Sequence, residues 1–180
     1  RTGRSGAVCA AGSGKYSASG TARNIAQIPQ NQHRLIRVNK KELLKELEKL
    51  GMRPGRGLGQ NFLMDNNLLD WIVRRSAPGC GEHILEVGPG FGALTGKLLE
   101  SGAQVTAIEY DHRLADYLRE KYKNTSLRLI EADACKVDYS ELFPAGVKFR
   151  AIANLPYSIS SIFIAGMLEL ENGPDYMLFM

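Results

Sequence analysis

The sequence predicts an α/β protein built on a mostly parallel, Rossmann-like sheet. Three observations carry that prediction. Strand-like runs at His83–Val87, Gln104–Ile108, Leu127–Ile130 and Phe149–Ala153 recur at a spacing of roughly 20 residues, and another begins near Tyr176. Helical patterns at Gly92–Ser101, Asp111–Tyr122 and Ser158–Leu170 fill the intervals, as βαβ units require. Finally, each distinctive glycine, acidic or polar motif falls just after a strand, where open α/β sheets bind ligands.

The elements before this alternation differ in kind. Residues 1–37 are rich in Gly, Ser, Ala and Arg without sustained periodicity. They are expected to be a leader outside the folded domain: an organelle transit peptide, or upstream sequence that is not translated in the native protein. Residues 38–180 are then a partial catalytic domain. Asn39 and Glu42 match a capping box, Gly51 can close the helix they open, and Leu43, Leu44, Leu47 and Leu50 form its apolar stripe. A glycine-rich connector over Arg53–Gly59 leads to a second helix, Asp65–Ser76, expected to bury Leu68, Leu69, Ile72 and Val73. The longest apolar run, Ile162–Leu168, reads as a buried helix face and is far short of the roughly 20 residues that span a bilayer.

Composition narrows the function. Of the 23 basic residues, seven lie in residues 1–40, which contain no acid, so residues 41–180 hold 16 basic against 19 acidic residues. The overall charge of +4 therefore gives no support for nucleic-acid binding by the folded part. Cys9, Cys80 and Cys135 form no CxxC pair, and His33, His83 and His112 have no metal-ligand spacing. The expectation is thiols and no metal site.

The first motif, Glu86-Val87-Gly88-Pro89-Gly90-Phe91-Gly92, follows a strand and opens a helix. Glycines there let the backbone turn tightly and approach a ligand. Gly88, Gly90 and Ala93 also satisfy the dinucleotide pattern G-x-G-x-x-G/A, and a turn without any ligand is a third option. Glu109 ends the second strand, where a carboxylate can accept both hydroxyl hydrogens of a ribose. Asp133, with the Ala134 N–H beside it, has the donor and acceptor pattern for the edge of an adenine. Either acid could instead cap a helix, as Asp111 can. The set describes a nucleoside crevice and leaves NAD and S-adenosylmethionine both open.

Asn154-Leu155-Pro156-Tyr157 separates them. The tetrapeptide is similar to the Asn/Asp-Pro-Pro-Tyr signature of enzymes that methylate the adenine amine. That nitrogen is a poor nucleophile because its lone pair is delocalised into the ring. The Asn154 side-chain oxygen and the Leu155 carbonyl can accept its two hydrogens, favouring a pyramidal nitrogen and stabilising the charge that develops. Pro156 fixes φ and removes a competing N–H, and Tyr157 offers a face to an unstacked base.

The ordered series Gly59–Leu63 (GQNFL), Glu86–Thr95 (EVGPGFGALT), Ile108–Asp111, Glu131–Ala134 and Asn154–Ser161 (NLPYSISS) resembles the ribosomal RNA adenine N6,N6-dimethyltransferase family over roughly residues 39–180. GQNFL is the most family-specific part and has no counterpart in dehydrogenases. The resemblance implies a class I S-adenosylmethionine-dependent methyltransferase fold, incomplete here because the chain stops inside its fifth strand. It implies that Asn61 and Leu63 line the cofactor pocket, that Gly88 and Gly90 lie against the methionine portion, and that Glu109 meets the ribose. Asp133 and Ala134 would meet the adenine, and Asn154 would stand between cofactor and substrate. Family members often carry Asn where Ser158 stands and Thr where Ser161 stands, so the surroundings of the target base differ.

The implied reaction is S-adenosylmethionine-dependent dimethylation of N6 on two adjacent adenosines in the 3′-terminal hairpin of small-subunit rRNA. The implied partner is a pre-30S-type particle, and the protein is expected to be a monomer without membrane association. Its expected location is the bacterial cytoplasm, or a plastid or mitochondrion if the leader is a transit peptide. The alternatives are a large-subunit rRNA methylase of the macrolide-resistance type, a non-catalytic ribosome-assembly or transcription-factor relative, and a dehydrogenase.

Overall fold

The computed structural model describes residues 40–52 and 65–180. In chain order the elements are α1 (Lys40–Lys49), α2 (Asn66–Ser76), β1 (His83–Val87), α3 (Ala93–Glu100), β2 (Gln104–Glu109), α4 (His112–Lys121), β3 (Leu127–Glu131), α5 (Tyr139–Leu142), β4 (Phe149–Ala153), α6 (Tyr157–Glu169) and β5 (Tyr176–Phe179). The five strands form one sheet in the order β3-β2-β1-β4-β5. Every pairing is parallel, with His83 opposite Gln104 on one side and Phe149 on the other.

Alternation along the central strands divides the core. Leu85, Val87, Ile108, Ala151 and Ala153 pack with Tyr139, Phe143, Phe163 and Met167 of the α5–α6 side. Ile84, Val105, Ala107 and Ile152 face the other way, against Leu69 and Ile72 of α2 and Leu94 and Leu98 of α3. A parallel sheet needs both covers, since crossover helices are what joins its strands. Phe143 and Phe149 stack at 3.9 Å between centroids, pinning the start of β4 to α5.

Aspartates cap α2, α4 and α5, whereas α3 and α6 follow Gly92 and Pro156 without a side-chain cap. Asp65 accepts from the Asn67 and Leu68 N–H groups to open α2, and Asp111 accepts from the Arg113 N–H to open α4. The helix α5 was not foreseen; its Asp138 cap is visible in the sequence, but four residues are too short to show a period.

Three burial expectations are corrected. Leu43 and Leu47 are buried, but Leu44 is exposed. Leu69 and Ile72 are buried in α2, whereas Leu68 is exposed and Val73 only partly covered. In α6 only Phe163 and Met167 are buried, while Ile162 and Leu168 face outward. A helix lying on a sheet buries one stripe, so an unbroken apolar run overstates its covered face. The thiol expectation holds for Cys135, which is free and exposed. Among the described residues no helix is long and apolar enough to cross a membrane.

Candidate active site

The strand order reverses between β1 and β4, and the loops leaving those two strands meet there. Gly88 has a φ of 66°, and a Cβ built on it would come within 3.5 Å of the Pro156 ring. The glycine loop and the Asn154–Tyr157 segment therefore lie side by side at this residue, with room between them for no more than a methyl group. The Gly88 N–H also donates to the Ile108 carbonyl at 2.9 Å, carrying the ladder past the end of β1.

Glu109 binds the glycine loop to the end of β2. Its Oε2 accepts from the Gly90 N–H at 3.2 Å and its Oε1 from the Asp111 N–H at 3.0 Å. The side chain is buried, and that burial raises its pKa above the usual carboxylate range despite both amide donors. Each carboxylate oxygen keeps a second lone pair, so holding the loop does not prevent acceptance from a ligand hydroxyl. Asp111, by contrast, is the α4 cap and pairs with Arg113, whose guanidinium helps to hold it below its ordinary value.

Asp133 lies just past β3 and caps a turn, not a helix. Its Oδ1 accepts from the Cys135 N–H at 3.0 Å, and Lys136 Nζ stands 3.3 Å from Oδ2. These contacts hold its carboxyl low and ionised. The neighbouring Ala134 is buried, and its carbonyl accepts from the Tyr139 hydroxyl at 2.7 Å, which fixes the turn. The carboxylate itself is partly open to solvent.

At the end of β4, Asn154 is half-buried and Leu155 is buried in the core. The Leu155 N–H donates to the Met180 carbonyl at 3.1 Å, and the Met180 N–H returns to Ala153 at 3.2 Å. This pairing with the β5 side sets the direction of the turn. Pro156 follows at φ −58°, its carbonyl accepting from the Ser160 hydroxyl and the Ile159 N–H. Tyr157, the first residue of α6, is 79% exposed, so its ring is available to an incoming group.

Glu86 is a site residue that the motif contained and the sequence reading did not single out. It lies on the α3 face of β1, completely buried, and burial pushes its pKa up to about 8. Thr95 beside it offsets part of that rise, and Glu109 adds to it. Neither Glu86 Oε2 nor Thr95 Oγ1 makes a hydrogen bond of ordinary geometry. A buried carboxyl oxygen beneath the glycine loop without an ordinary hydrogen bond leaves a position that a hydrogen-bonding ligand group can fill. The period-2 position on a fully buried strand was the available signal. Asn61 and Leu63 lie outside the described residues.

Comparison with known proteins agrees with this arrangement. The family model described as ribosomal RNA adenine dimethylase matches residues 53–180. A curated relative from Hahella chejuensis, Ribosomal RNA small subunit methyltransferase A, is 42% identical over 134 residues, covering 74% of this chain and 49% of its own. A protein of the same name from Prosthecochloris aestuarii is 44% identical over 112 residues, covering 62% of this chain and 42% of its own. The chain thus spans about half the length, or less, of these curated relatives. Among solved structures, the 23S rRNA methyltransferase ErmE superposes with a TM-score of 0.57 at 30% identity, over 66% of this chain and 48% of that one. A dimethyladenosine transferase from Plasmodium falciparum gives 0.54 at 30% identity, over 64% and 42%. The fold is that of the class I S-adenosylmethionine-dependent methyltransferases, as the family resemblance implied, on the parallel sheet that the strand spacing predicted. With a match that runs through every loop of the crevice described above, the chain belongs to the ribosomal RNA adenine dimethylase family.

Proposed function

We propose that this chain carries the cofactor and catalytic loops of an enzyme that dimethylates N6 of two adjacent adenosines in the 3′-terminal hairpin of small-subunit rRNA, using S-adenosylmethionine. The observation that carries the reading is the close approach of the Pro156 turn to Gly88, where an added Cβ would lie 3.5 Å from the ring, which sets the Asn154 turn beside the glycine loop. Curated relatives at 42% and 44% identity are both named small-subunit methyltransferases, which supports the small-subunit target. Residues 38–180 are the catalytic part and residues 1–37 a leader. The enzyme acts as a monomer on a pre-30S-type particle in the bacterial cytoplasm.

S-adenosylmethionine supplies an electrophilic methyl group on a sulfonium. Its ribose hydroxyls would be held by Glu109, its adenine by Asp133 and Ala134, and its methionine portion by Gly88 and Gly90, and by the family resemblance Asn61 and Leu63 would contribute to its binding. Glu86, below the loop, offers a hydrogen-bonding position to the ligand. Asn154 Oδ1 and the Leu155 carbonyl accept the two hydrogens of the target amine and orient its lone pair. The Tyr157 ring supports the flipped base from one side. No strong base is needed, because the nitrogen sheds its proton only after it has become cationic.

Asn154→Ala in the whole enzyme tests this. Turnover on small-subunit precursor particles falls by about 10²–10³ while S-adenosylhomocysteine affinity is retained, the usual cost of one preorganised electrostatic contact. Turnover near that of the parent refutes the role of Asn154.

A further inference from the structure

Behind the glycine loop stands the C-terminal end of α4, which the cofactor reading does not use. Lys121, the last residue of α4, donates from Nζ to the Phe91 carbonyl at 2.8 Å. The next residue, Tyr122, donates its hydroxyl to the Gly92 carbonyl at 2.7 Å. Consecutive carbonyls of the loop are thus fixed by consecutive side chains. The Gly92 carbonyl also accepts from the Gly96 N–H at 2.9 Å, within the first turn of α3. In a trans peptide the C=O and the following N–H point in opposite directions. Holding the Gly92 carbonyl back therefore aims the Ala93 N–H out of the α3 N-terminus, where the helix has unpaired donors for an anionic group.

The clamp is tightly packed. A Cβ on Gly92 would lie 2.7 Å from Tyr122 Cε2 and 2.8 Å from Leu118 Cδ2. Phe91 is buried with Leu43 and Leu47 of α1 and Leu114 of α4, its ring edge-on to Tyr117 at 5.3 Å. Lys121 Nζ stands 5.3 Å from the Tyr117 ring centre and 5.2 Å from that of Tyr122. This ammonium is spent on the loop backbone.

We propose that Lys121 and Tyr122 are positioning residues for the cofactor: through the Phe91 and Gly92 carbonyls they set the loop so that the α3 N-terminal amides meet the methionine carboxylate. The inference rests on the cofactor reading above. Burial lowers the Lys121 pKa to about 8, with Glu46 of α1 opposing. The other groups facing Lys121 are the Tyr117 and Tyr122 rings and the Phe91 carbonyl. Tyr122 is held above its ordinary value by burial, with Glu86 of β1 and Glu100 of α3 adding to the rise, so it stays a donor throughout. A neutral amine donates more weakly and loses its attraction to the rings. Cofactor affinity therefore falls as pH rises through about 8.

The test measures S-adenosylhomocysteine binding by calorimetry on the full chain, for the parent, Lys121→Met, Lys121→Arg and Tyr122→Phe, at pH values on both sides of about 8. Lys121→Met and Tyr122→Phe each weaken binding about tenfold, the effect of losing one hydrogen bond to the loop. Lys121→Arg keeps the affinity at neutral pH and abolishes the part of the alkaline fall that belongs to Lys121. The ligand's own ionisations and those of Glu86 are common to both proteins. Unchanged affinity in Lys121→Met and Tyr122→Phe overturns the proposal. So does a Lys121→Arg profile that keeps the full alkaline fall, and that profile decides the matter should Lys121→Met fail to fold. A parent chain that binds no S-adenosylhomocysteine refutes the cofactor reading instead.

Discussion

Replacing Glu109 with Gln changes one oxygen of a buried carboxylate into an amide nitrogen, and the structure fixes what that costs. The carboxylate accepts from two backbone donors, the Gly90 N–H at 3.2 Å and the Asp111 N–H at 3.0 Å. A glutamine oxygen can satisfy one of them, and its NH2 is then turned toward the other N–H. One charge-assisted bond worth about 1.5–3 kcal/mol is lost, and a buried N–H is left without an acceptor at about 1–3 kcal/mol. Removing a carboxylate that burial already disfavours offsets part of this, leaving a net loss of about 2–4 kcal/mol. Urea denaturation of Glu109→Gln reads that loss as a lower midpoint. Calorimetry with S-adenosylhomocysteine reads the second consequence, a drop in affinity of about 10–100-fold as the loop loosens and a ribose acceptor disappears. Parent-like values in both measurements refute the tie between β2 and the glycine loop.

Glu86 makes stability depend on pH in an unusual direction. Its pKa is raised from 4.5 to about 8, so across that window the folded chain keeps a proton that the unfolded chain gives up. Stability therefore falls as pH rises through the window, by at most about 1.4 kcal/mol per unit, and is fully retained below it. Glu86→Gln removes the fall and is more stable than the parent in alkali; denaturation midpoints that keep the parent slope exclude Glu86 as its source. Two loop glycines give contrasting alanine variants. Gly92→Ala meets Tyr122 and Leu118 below 3.0 Å at a φ of 77° and loses about 3 kcal/mol or more. Gly88→Ala meets only Pro156 at 3.5 Å and loses about 1 kcal/mol, mainly from its positive φ. Equal melting temperatures for the two variants contradict this ranking.

The sheet was legible because a buried parallel strand is a short apolar run with an abrupt end. His83–Val87 and Phe149–Ala153 appear with the bounds expected, and β2 and β3 each run one residue further than expected. The crevice was legible for a related reason: chemistry in such sheets concentrates at the strand ends, and Glu109, Asp133 and Asn154 all stand there. Depth of burial was less legible. Leu44, Leu68, Ile162 and Leu168 are apolar and in helical register, yet exposed, because the edge of a covered stripe depends on neighbours distant in sequence. Lys121 and Tyr122 carried no signal at all. Their function follows from meeting a loop some 30 residues earlier in the chain, and no local pattern encodes that meeting.

The strand order also ranks the loop closures that folding requires. β1, β2 and β3 pair in order of synthesis, so the half of the crevice that contains Glu109 and Asp133 closes short loops only. β4 must return to the open side of β1, pairing Phe149 with His83 across the whole of that first half. Long-range parallel pairing of this kind pays its chain entropy before any contact repays it, and so forms late. The Asn154 turn is therefore expected to reach the glycine loop after the half with Glu109 and Asp133 has paired, an order that pulsed hydrogen exchange of β4 against β2 would test. The two sides of the crevice then differ in history as well as in sequence: one closes locally, and the other waits for a strand 66 residues further on to return to β1.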